Sequence, residues 1–245
     1  MIEGAYTGVE NLESMREAER YNRFLVDLVL RYQVGSGPAL DFGAGAGTFA
    51  ELLRARGLDV RCLEPDPHLQ ARLADQGLSV IGSAAEIADN SIDYVYSLNV
   101  LEHIEDDQAA VAEIHRVLRP GGLLLLYVPA FQILYSSMDE RVGHIRRYRR
   151  RGLVDLVRTA GFDVCRSAYA DCVGFVAALV YRWFGDRSGT ISPRQVRNYD
   201  RLVFPLSRSL DYICDKAFGK NVYLVAEKPR CGLAKSGVAS ELHQK

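Results

Sequence analysis

The sequence has little of what marks secreted, membrane-spanning or nucleic-acid-coating proteins. Its 245 residues include five cysteines, none in a Cys-x-x-Cys pair, so neither a disulfide framework nor a zinc ribbon is expected. Thirty Lys and Arg nearly balance 31 Asp and Glu, which disfavours a chain-wide basic surface for nucleic acid. The longest uncharged apolar run, residues 172–181, is about half of the ~20 residues that a membrane span requires.

The start of the chain has neither a basic segment nor an apolar one, so no signal peptide is predicted. We therefore expect a cytoplasmic protein, and contact with a membrane surface remains open. An apolar content of 48% excludes disorder for most of the chain. The sequence does not specify the oligomeric state.

What the chain does have is an alternation of strand-like and helix-like segments over residues 38–170. Such alternation predicts a doubly wound, mostly parallel α/β sheet with helices on both faces. Residues 123–128 (LLLLYV) are apolar without interruption, as expected of a strand covered on both faces. Ligands of these sheets bind at the carboxyl ends of the strands, so the loops that follow the strands should form the site.

Five segments follow from the same patterns. An N-terminal helix and lid (1–34) precede the core (35–170), and a helical insertion (171–219) separates the core from its last strand (220–228). A polar tail (229–245) ends the chain. We also predict one long helix over residues 10–32 and a break at Pro205 inside the insertion.

A glycine-rich loop, DFGAGAG over residues 41–47, follows the first strand. Glycines allow backbone N–H groups to approach a ligand closely, and the following helix adds a positive dipole end. A dinucleotide site has the spacing Gly-x-Gly-x-x-Gly, and here the third glycine comes one residue too early. Asp41 would repel a pyrophosphate, but an acid beside a glycine turn suits a ligand that carries both an ammonium and a carboxylate.

Glu64 ends the second strand, 23 residues after Asp41. A carboxylate at this position can accept hydrogen bonds from both hydroxyls of a ribose. An amino-acid group at the first loop and a ribose at the second together indicate S-adenosylmethionine.

On these residues the sequence resembles the class I S-adenosylmethionine-dependent methyltransferases, and the resemblance covers residues 38–170. ALDFGAGAG resembles their first motif, CLEPDP the second, SLNVLEH the fourth, and RVLRPGGLLLLYVP the strand motif that follows. The resemblance implies a seven-stranded Rossmann-like fold, with S-adenosylmethionine as cofactor and S-adenosylhomocysteine as product. The cofactor-binding residues then expected are Asp41, Gly43, Ala44, Gly45, Gly47, Glu64, Pro65, Ser83, Ala84, Ala85, Asn99, Val100 and Tyr6.

Two further implications concern the ends of the cofactor. The adenine loop of the family usually carries an acid where this chain has Ser83, so backbone groups and Ser83 would hold the adenine. The opening segment usually folds over the cofactor as a lid, so Tyr6 would cap the methionine end. Tyr21 and Asn22 would line the acceptor side. The opening segment and GHIRRY (143–148) look similar to a bacterial subgroup often assigned to surface-glycan or lipid-linked metabolism.

The tripeptide Leu101-Glu102-His103 is shared with small-molecule methyltransferases such as those of quinone biosynthesis. His103 is a candidate catalytic residue that touches acceptor or cofactor, or else a structural histidine bound to a neighbouring loop. Glu102 and His103 are adjacent in one loop and make a poor metal site without a third ligand. No metal is therefore predicted.

Residues 130–149 read as a polar loop after the fifth strand, and six arginines lie between residues 141 and 151. In one interpretation His144 is the catalytic base for the acceptor, because a histidine titrates near neutral pH. Arg146 or Arg147 would grip an anionic group, since the guanidinium fork binds phosphate or carboxylate bidentately, and Tyr148 would complete the substrate site. The alternative is a solvated basic surface.

The sequence thus predicts an S-adenosylmethionine-dependent methyltransferase acting on a small-molecule acceptor, either anionic or amphiphilic. No nucleic-acid partner is expected. The Asn-Pro-Pro-aromatic motif of base amino-group methylation is absent, although an RNA or protein methyltransferase remains an alternative. A second alternative is a protein that binds the cofactor without catalysis.

Overall fold

A seven-stranded sheet organises the chain in the computed structural model, which describes residues 17–184 and 192–230. Its strands are β1 (Ala39–Phe42), β2 (Val60–Leu63), β3 (Ser79–Ile81), β4 (Ile92–Leu98), β5 (Leu118–Pro129), β6 (Asp163–Ala170) and β7 (Asn221–Glu227). Their order across the sheet is β3-β2-β1-β4-β5-β7-β6. Strands β1 to β5 pair in parallel, and β7 runs antiparallel between β5 and β6. The predicted doubly wound, mostly parallel sheet is confirmed.

Helices cover both faces of this sheet. They are α1 (Glu19–Tyr32), α2 (Thr48–Arg54), α3 (Pro67–Asp75), α4 (Asp107–Val117), α5 (Ser137–Val142), α6 (Arg150–Thr159), α7 (Cys172–Phe184), α8 (Pro193–Asn198) and α9 (Phe204–Cys214). Helix α1 precedes the first strand, and α7 to α9 form the predicted insertion before β7. No helix within the described part of the chain has both the length and the apolar character needed to cross a bilayer.

Strand β5 shows why the sheet is buried on both sides. Leu123, Leu125 and Tyr127 belong to an apolar cluster under α1 and α2. Leu124 and Leu126 point the other way, into a second cluster under α4 and α6. Alternate side chains of a strand face opposite sides of the sheet, so an uninterrupted apolar run is what a strand between two helical layers requires.

Several predicted boundaries differ from the structure. Helix α1 begins at Glu19, because residues 17 and 18 are not helical; the part of the predicted helix before residue 17 lies outside the described residues. Strand β5 begins at Leu118, so it extends beyond the apolar run 123–128 and includes the Pro-Gly-Gly of residues 120–122. The predicted loop 130–149 contains a 3-10 turn and α5, whose start is capped by Ser136. Pro205 leaves no gap in the insertion, but the helical geometry changes directly before it: a π-helical segment (Tyr199–Val203) joins α8 to α9, and Pro205 lies in the first turn of α9.

Candidate active site

A cavity of about 850 Å³ opens at the carboxyl ends of β1, β2 and β4, within the size range of cofactor sites. The predicted site residues that line it are Asp41, Gly43, Ala44, Gly45, Glu64, Pro65, Ser83, Ala84, Asn99, Val100, Tyr21, Asn22, His103, His144 and Arg147. Gly47, Ala85, Arg146 and Tyr148 are not among its lining residues. Tyr6 lies outside the described residues.

Hydrogen bonds to β2 fix the glycine-rich loop at the floor of the cavity. The N–H groups of Gly43 and Ala44 both donate to the carbonyl of Leu63, at 2.9 and 3.1 Å. Gly43 has a φ of +86°, and a Cβ there would lie 2.6 Å from a methyl carbon of Val100. The loop therefore needs glycine at this position for its backbone conformation and for its close contact with the β4 loop.

The carboxyl group of Asp41 is buried at the end of β1 and lines the cavity. Burial raises its pKa to about 7; the neighbouring Tyr96 hydroxyl opposes this shift and the charge of Glu64 adds to it. The ionised form is thus held in an environment that disfavours it. An ammonium group in the cavity would stabilise that form.

Glu64 is held at the end of β2 by two backbone donors. One carboxylate oxygen accepts from Gly45 N–H at 2.8 Å, and the other accepts from Asp66 N–H at 3.0 Å. Burial nevertheless raises the pKa of this carboxyl. Each oxygen retains a further lone pair, so the fixed carboxylate can still accept two ribose hydroxyls.

The predicted adenine loop follows β3 and is organised by a capping box. The Ser83 N–H donates to the Glu86 carboxylate at 2.8 Å, and the Ser83 hydroxyl accepts from Ala85 N–H at 3.3 Å. The Ser83 side chain therefore already caps a turn. Ser83 and Ala84 line the cavity, whereas Ala85 does not.

At the far end of the cavity, two histidines from different loops meet. The rings of His103 and His144 lie 4.8 Å apart between centroids. His144 Nδ1 is 2.7 Å from the Asp139 carboxylate, and His103 Nδ1 is 3.2 Å from the Gly143 carbonyl oxygen. Burial, followed by the charge of His144, lowers the pKa of His103 to about 4, so His103 is neutral at physiological pH.

Glu102 lies beside these two rings and is fully buried. No other residue within the described part of the chain donates a hydrogen bond to either of its carboxylate oxygens, and His144 Nε2 is 3.6 Å from one of them. Burial raises the pKa of Glu102 to about 8, although its own backbone N–H and then the charge of Arg147 oppose the shift. The sequence indicated Glu102 and His103 as potential metal ligands but no third one, and the structure brings His144 next to them.

In the arginine-rich segment 141–151, hereafter the arginine loop, some side chains line the cavity and others form contacts outside it. Arg147 lines the cavity and forms a bidentate pair with Asp139, at 2.8 and 3.1 Å. Arg146 instead forms an ion pair with Asp107 at 2.8 Å, and the Tyr148 hydroxyl donates to the same carboxylate at 2.8 Å. The structure thus does not bring Arg146 and Tyr148 to the predicted substrate site; they attach the loop to α4.

Comparison with known proteins agrees with this geometry. Residues 40–126 match a family model described as a methyltransferase domain. An uncharacterised methyltransferase of Mycobacterium tuberculosis is 40% identical over 113 residues, which cover 44% of this chain and 43% of the relative. A probable S-adenosylmethionine-dependent methyltransferase of Mycolicibacterium smegmatis is 32% identical over 143 residues, which cover 55% of each. The name of this second relative gives the same cofactor that the sequence predicts for this chain.

The chain spans about half the length of the curated relatives it matches. Among solved structures, a methyltransferase of Thermotoga maritima, described as a possible histamine N-methyltransferase, is similar with a TM-score of 0.62. It is 17% identical, and the match covers 89% of this chain and 94% of that one. At this identity the similarity establishes the fold alone.

The structure adds residues to the cavity that the sequence did not indicate. They include Asp139, Met138, Val142, Val196, Lys220 and Asn221. Lys220 precedes β7, and burial lowers its pKa, opposed by the charge of Asp171. Asp139 could have been found, because Ser136 and Asp139 have the spacing of a capping box. Lys220 could not, because nothing in its local sequence indicates that it faces a cavity.

Proposed function

We propose that this chain transfers the methyl group of S-adenosylmethionine to a small molecule that is anionic or amphiphilic. The observation that carries the proposal is the arrangement of Asp41 and Glu64. Both acids line one cavity, at the carboxyl ends of adjacent parallel strands, where an amino-acid ammonium and a ribose of one ligand would lie.

Methyl transfer from a sulfonium is an in-line displacement, in which the protein mainly supplies alignment and a dry pocket. Asn99 and Val100 follow β4 and would flank the methionine moiety of the cofactor. The cavity continues from there to His103 and His144. An acceptor hydroxyl would lose its proton at these two histidines, which we retain as the candidate catalytic residues.

The acceptor side supports an anionic small molecule. Lys220 lines it together with Arg147, and the carboxylate of Asp139 already neutralises Arg147. The Lys220 ammonium lies 5.8 Å from the centre of the Tyr199 ring. Lys220 is therefore a better candidate than the arginines of the loop for binding a phosphate or carboxylate of the acceptor.

The amphiphilic alternative is supported by the helical insertion. Val176, Val180 and Trp183 recur at helical spacing along α7 and are exposed. Apolar side chains at this spacing form one face of a helix. Such a face suits the lipid part of an acceptor or a membrane surface, in line with the bacterial subgroup suggested by the GHIRRY motif.

Calorimetry with S-adenosylmethionine and NADPH tests the proposal. We expect S-adenosylmethionine to bind and NADPH not to bind. Two hydrogen bonds to a carboxylate contribute about 1.5–3 kcal/mol each, so Glu64→Ala should weaken cofactor binding at least tenfold. Glu19→Ala, on the exposed start of α1, is the control and should bind as the unmodified chain does. Unchanged affinity in Glu64→Ala would contradict the ribose assignment.

A further inference from the structure

We propose that Glu102, His103 and His144 bind a divalent transition-metal ion at the acceptor end of the cavity. This site is separate from the cofactor contacts at Asp41 and Glu64. Metal binding does not depend on the proposed function, whereas the role of the metal in catalysis rests on it.

The distances suit one ion. One ligand atom from each of the three residues can be chosen so that all three lie within 4.8 Å of one another. Nitrogen and oxygen ligands lie ~2.0–2.2 Å from such a metal, which places them about 3–3.5 Å apart around it. His144 Nε2 and a Glu102 oxygen are already 3.6 Å apart, so small side-chain rotations would close the site.

Glu102 supplies the strongest argument. Its side chain is completely buried, yet no other residue within the described part of the chain donates a hydrogen bond to either carboxylate oxygen. Buried carboxyl groups are found paired, hydrogen-bonded or bound to a metal, because a buried polar group without a partner is costly whether it is ionised or protonated. A cation between Glu102 and the two imidazoles would provide the missing partner.

Both imidazoles are oriented as metal-binding histidines usually are. His144 Nδ1 faces the Asp139 carboxylate at 2.7 Å, and His103 Nδ1 faces the Gly143 carbonyl at 3.2 Å. An acceptor at Nδ1 selects the tautomer with the proton on Nδ1 and leaves the Nε2 lone pair for a metal. Arg147 in turn fixes Asp139 through two hydrogen bonds.

The ligand set limits which ions fit. Two imidazoles and one carboxylate suit Zn²⁺, Mn²⁺, Fe²⁺ or Co²⁺, whereas Mg²⁺ and Ca²⁺ prefer all-oxygen sites. His103 and His144 line the cavity, so the remaining coordination positions would face the acceptor. This geometry resembles a catalytic site with open positions more than a closed structural one.

Within the proposed function, the metal would activate an acceptor hydroxyl. Coordination lowers the pKa of the hydroxyl, and its proton is released to water. The oxygen then forms a bond to the methyl carbon while the carbon–sulfur bond breaks, and the sulfonium becomes the neutral thioether of S-adenosylhomocysteine. With the metal bound, the two histidines would be its ligands, and water would take the proton that they would accept in the metal-free site.

Titration of the chelator-treated full chain with Co²⁺, followed by visible absorption and calorimetry, tests the site. We expect one Co²⁺ per chain, displaced by Zn²⁺. Glu102→Gln and His144→Ala should each weaken binding by more than tenfold, and Asp139→Asn by about 10–100-fold. His115→Ala is the matched control, because His115 packs on Phe162 and is not among the residues that line the cavity.

Three results would overturn the proposal: no saturable Co²⁺ binding by the unmodified chain, equal binding by Glu102→Gln, or equal loss in His115→Ala. If His144→Ala does not fold, as judged by circular dichroism, Glu102→Gln decides the question. This change keeps the size of the side chain and replaces one carboxylate oxygen by an amide NH2 group. S-adenosylmethionine binding is measured separately without metal. A chain that binds Co²⁺ but not S-adenosylmethionine would refute the proposed function and support the metal site. A chain that binds S-adenosylmethionine but not Co²⁺ would support the proposed function and refute the metal site.

Discussion

Replacing Asp41 by asparagine should stabilise the unliganded protein and weaken its binding of S-adenosylmethionine. Burial raises the pKa of Asp41 from 3.8 to about 7. The folded chain therefore holds a proton between pH 4 and pH 7 that the unfolded chain has released. In this window the stability of the unmodified protein falls as pH rises, because the unfolded state binds fewer protons than the folded state. Asparagine does not titrate, so Asp41→Asn removes this dependence.

The size of the effect follows from the shift. One pKa unit corresponds to ~1.36 kcal/mol, so a shift of about three units amounts to an upper limit of ~4 kcal/mol above pH 7. Between pH 5 and pH 8 the advantage of Asp41→Asn over the unmodified chain should grow by about 2–3 kcal/mol. This is a large part of the 5–15 kcal/mol that stabilises an ordinary domain.

The same buried acid should make cofactor binding depend on pH. Asp41 must lose its proton to pair with the ammonium of the ligand, so the dissociation constant of S-adenosylmethionine should rise by up to tenfold per pH unit below pH 7. Asp41→Asn should bind the cofactor weakly and without this dependence.

Urea denaturation at pH 5 and pH 8, together with calorimetry at both values, checks these expectations. Asp59→Asn, at an exposed site before β2, is the control and should leave stability and binding unchanged. Parallel pH profiles for Asp41→Asn and the unmodified chain would refute the burial argument. A stabilised Asp41→Asn that binds the cofactor normally would show that the ammonium lies elsewhere.

Two further substitutions probe the scaffold. Gly43→Ala should lower the melting temperature and weaken cofactor binding, because its Cβ would lie 2.6 Å from Val100 at a φ of +86°; a residue in this left-handed conformation costs about 1–2 kcal/mol by itself. The double variant with Val100→Ala should recover only the part due to the clash, and full recovery would contradict the backbone argument. Asp211→Ala should destabilise the insertion by about 1–2 kcal/mol and speed its limited proteolysis, because Asp211 accepts from Asp171 N–H and Cys172 N–H at the start of α7. Asp211→Asn keeps one acceptor oxygen and should be milder; equal cleavage of all three chains would show that the cap is dispensable.

The cofactor end of the site could be predicted because its residues sit at strand ends. In a parallel sheet the carboxyl ends of the strands share one edge, so the positions of Asp41 and Glu64 in the sequence already place them together. The structure brings both to one cavity. The turn of the glycine-rich loop accounts for one of the contacts that hold them, the hydrogen bond that Gly45 N–H donates to the Glu64 carboxylate.

The acceptor end could not be predicted in the same way. The segment 130–149 read as an open loop, but Ser136 caps α5, and Gly143 ends that helix with a φ of +77°. This turn places His144 against Glu102, 42 residues earlier in the chain. Hydrophobic periodicity predicts the helices and strands of a chain but not the contacts between its loops. Neither the contact of His144 with Glu102 nor the position of Lys220 in the cavity could therefore be predicted.

Three buried acids lie at the carboxyl ends of neighbouring strands: Asp41 near the end of β1, Glu64 directly after β2 and Glu102 in the turn after β4. Burial raises the pKa of Asp41, Glu64 and Glu102. Such buried acids destabilise the protein without ligand, and a ligand that pairs with the carboxylate or hydrogen-bonds to it offsets this cost. The proposed ligands differ in kind: an ammonium for Asp41, ribose hydroxyls for Glu64 and a metal ion for Glu102. A ligand stabilises the state that it binds, so the cofactor and the metal should each raise the melting temperature. Substitution of Asp41 or Glu64 should reduce the increase caused by the cofactor, and substitution of Glu102 should reduce the increase caused by the metal.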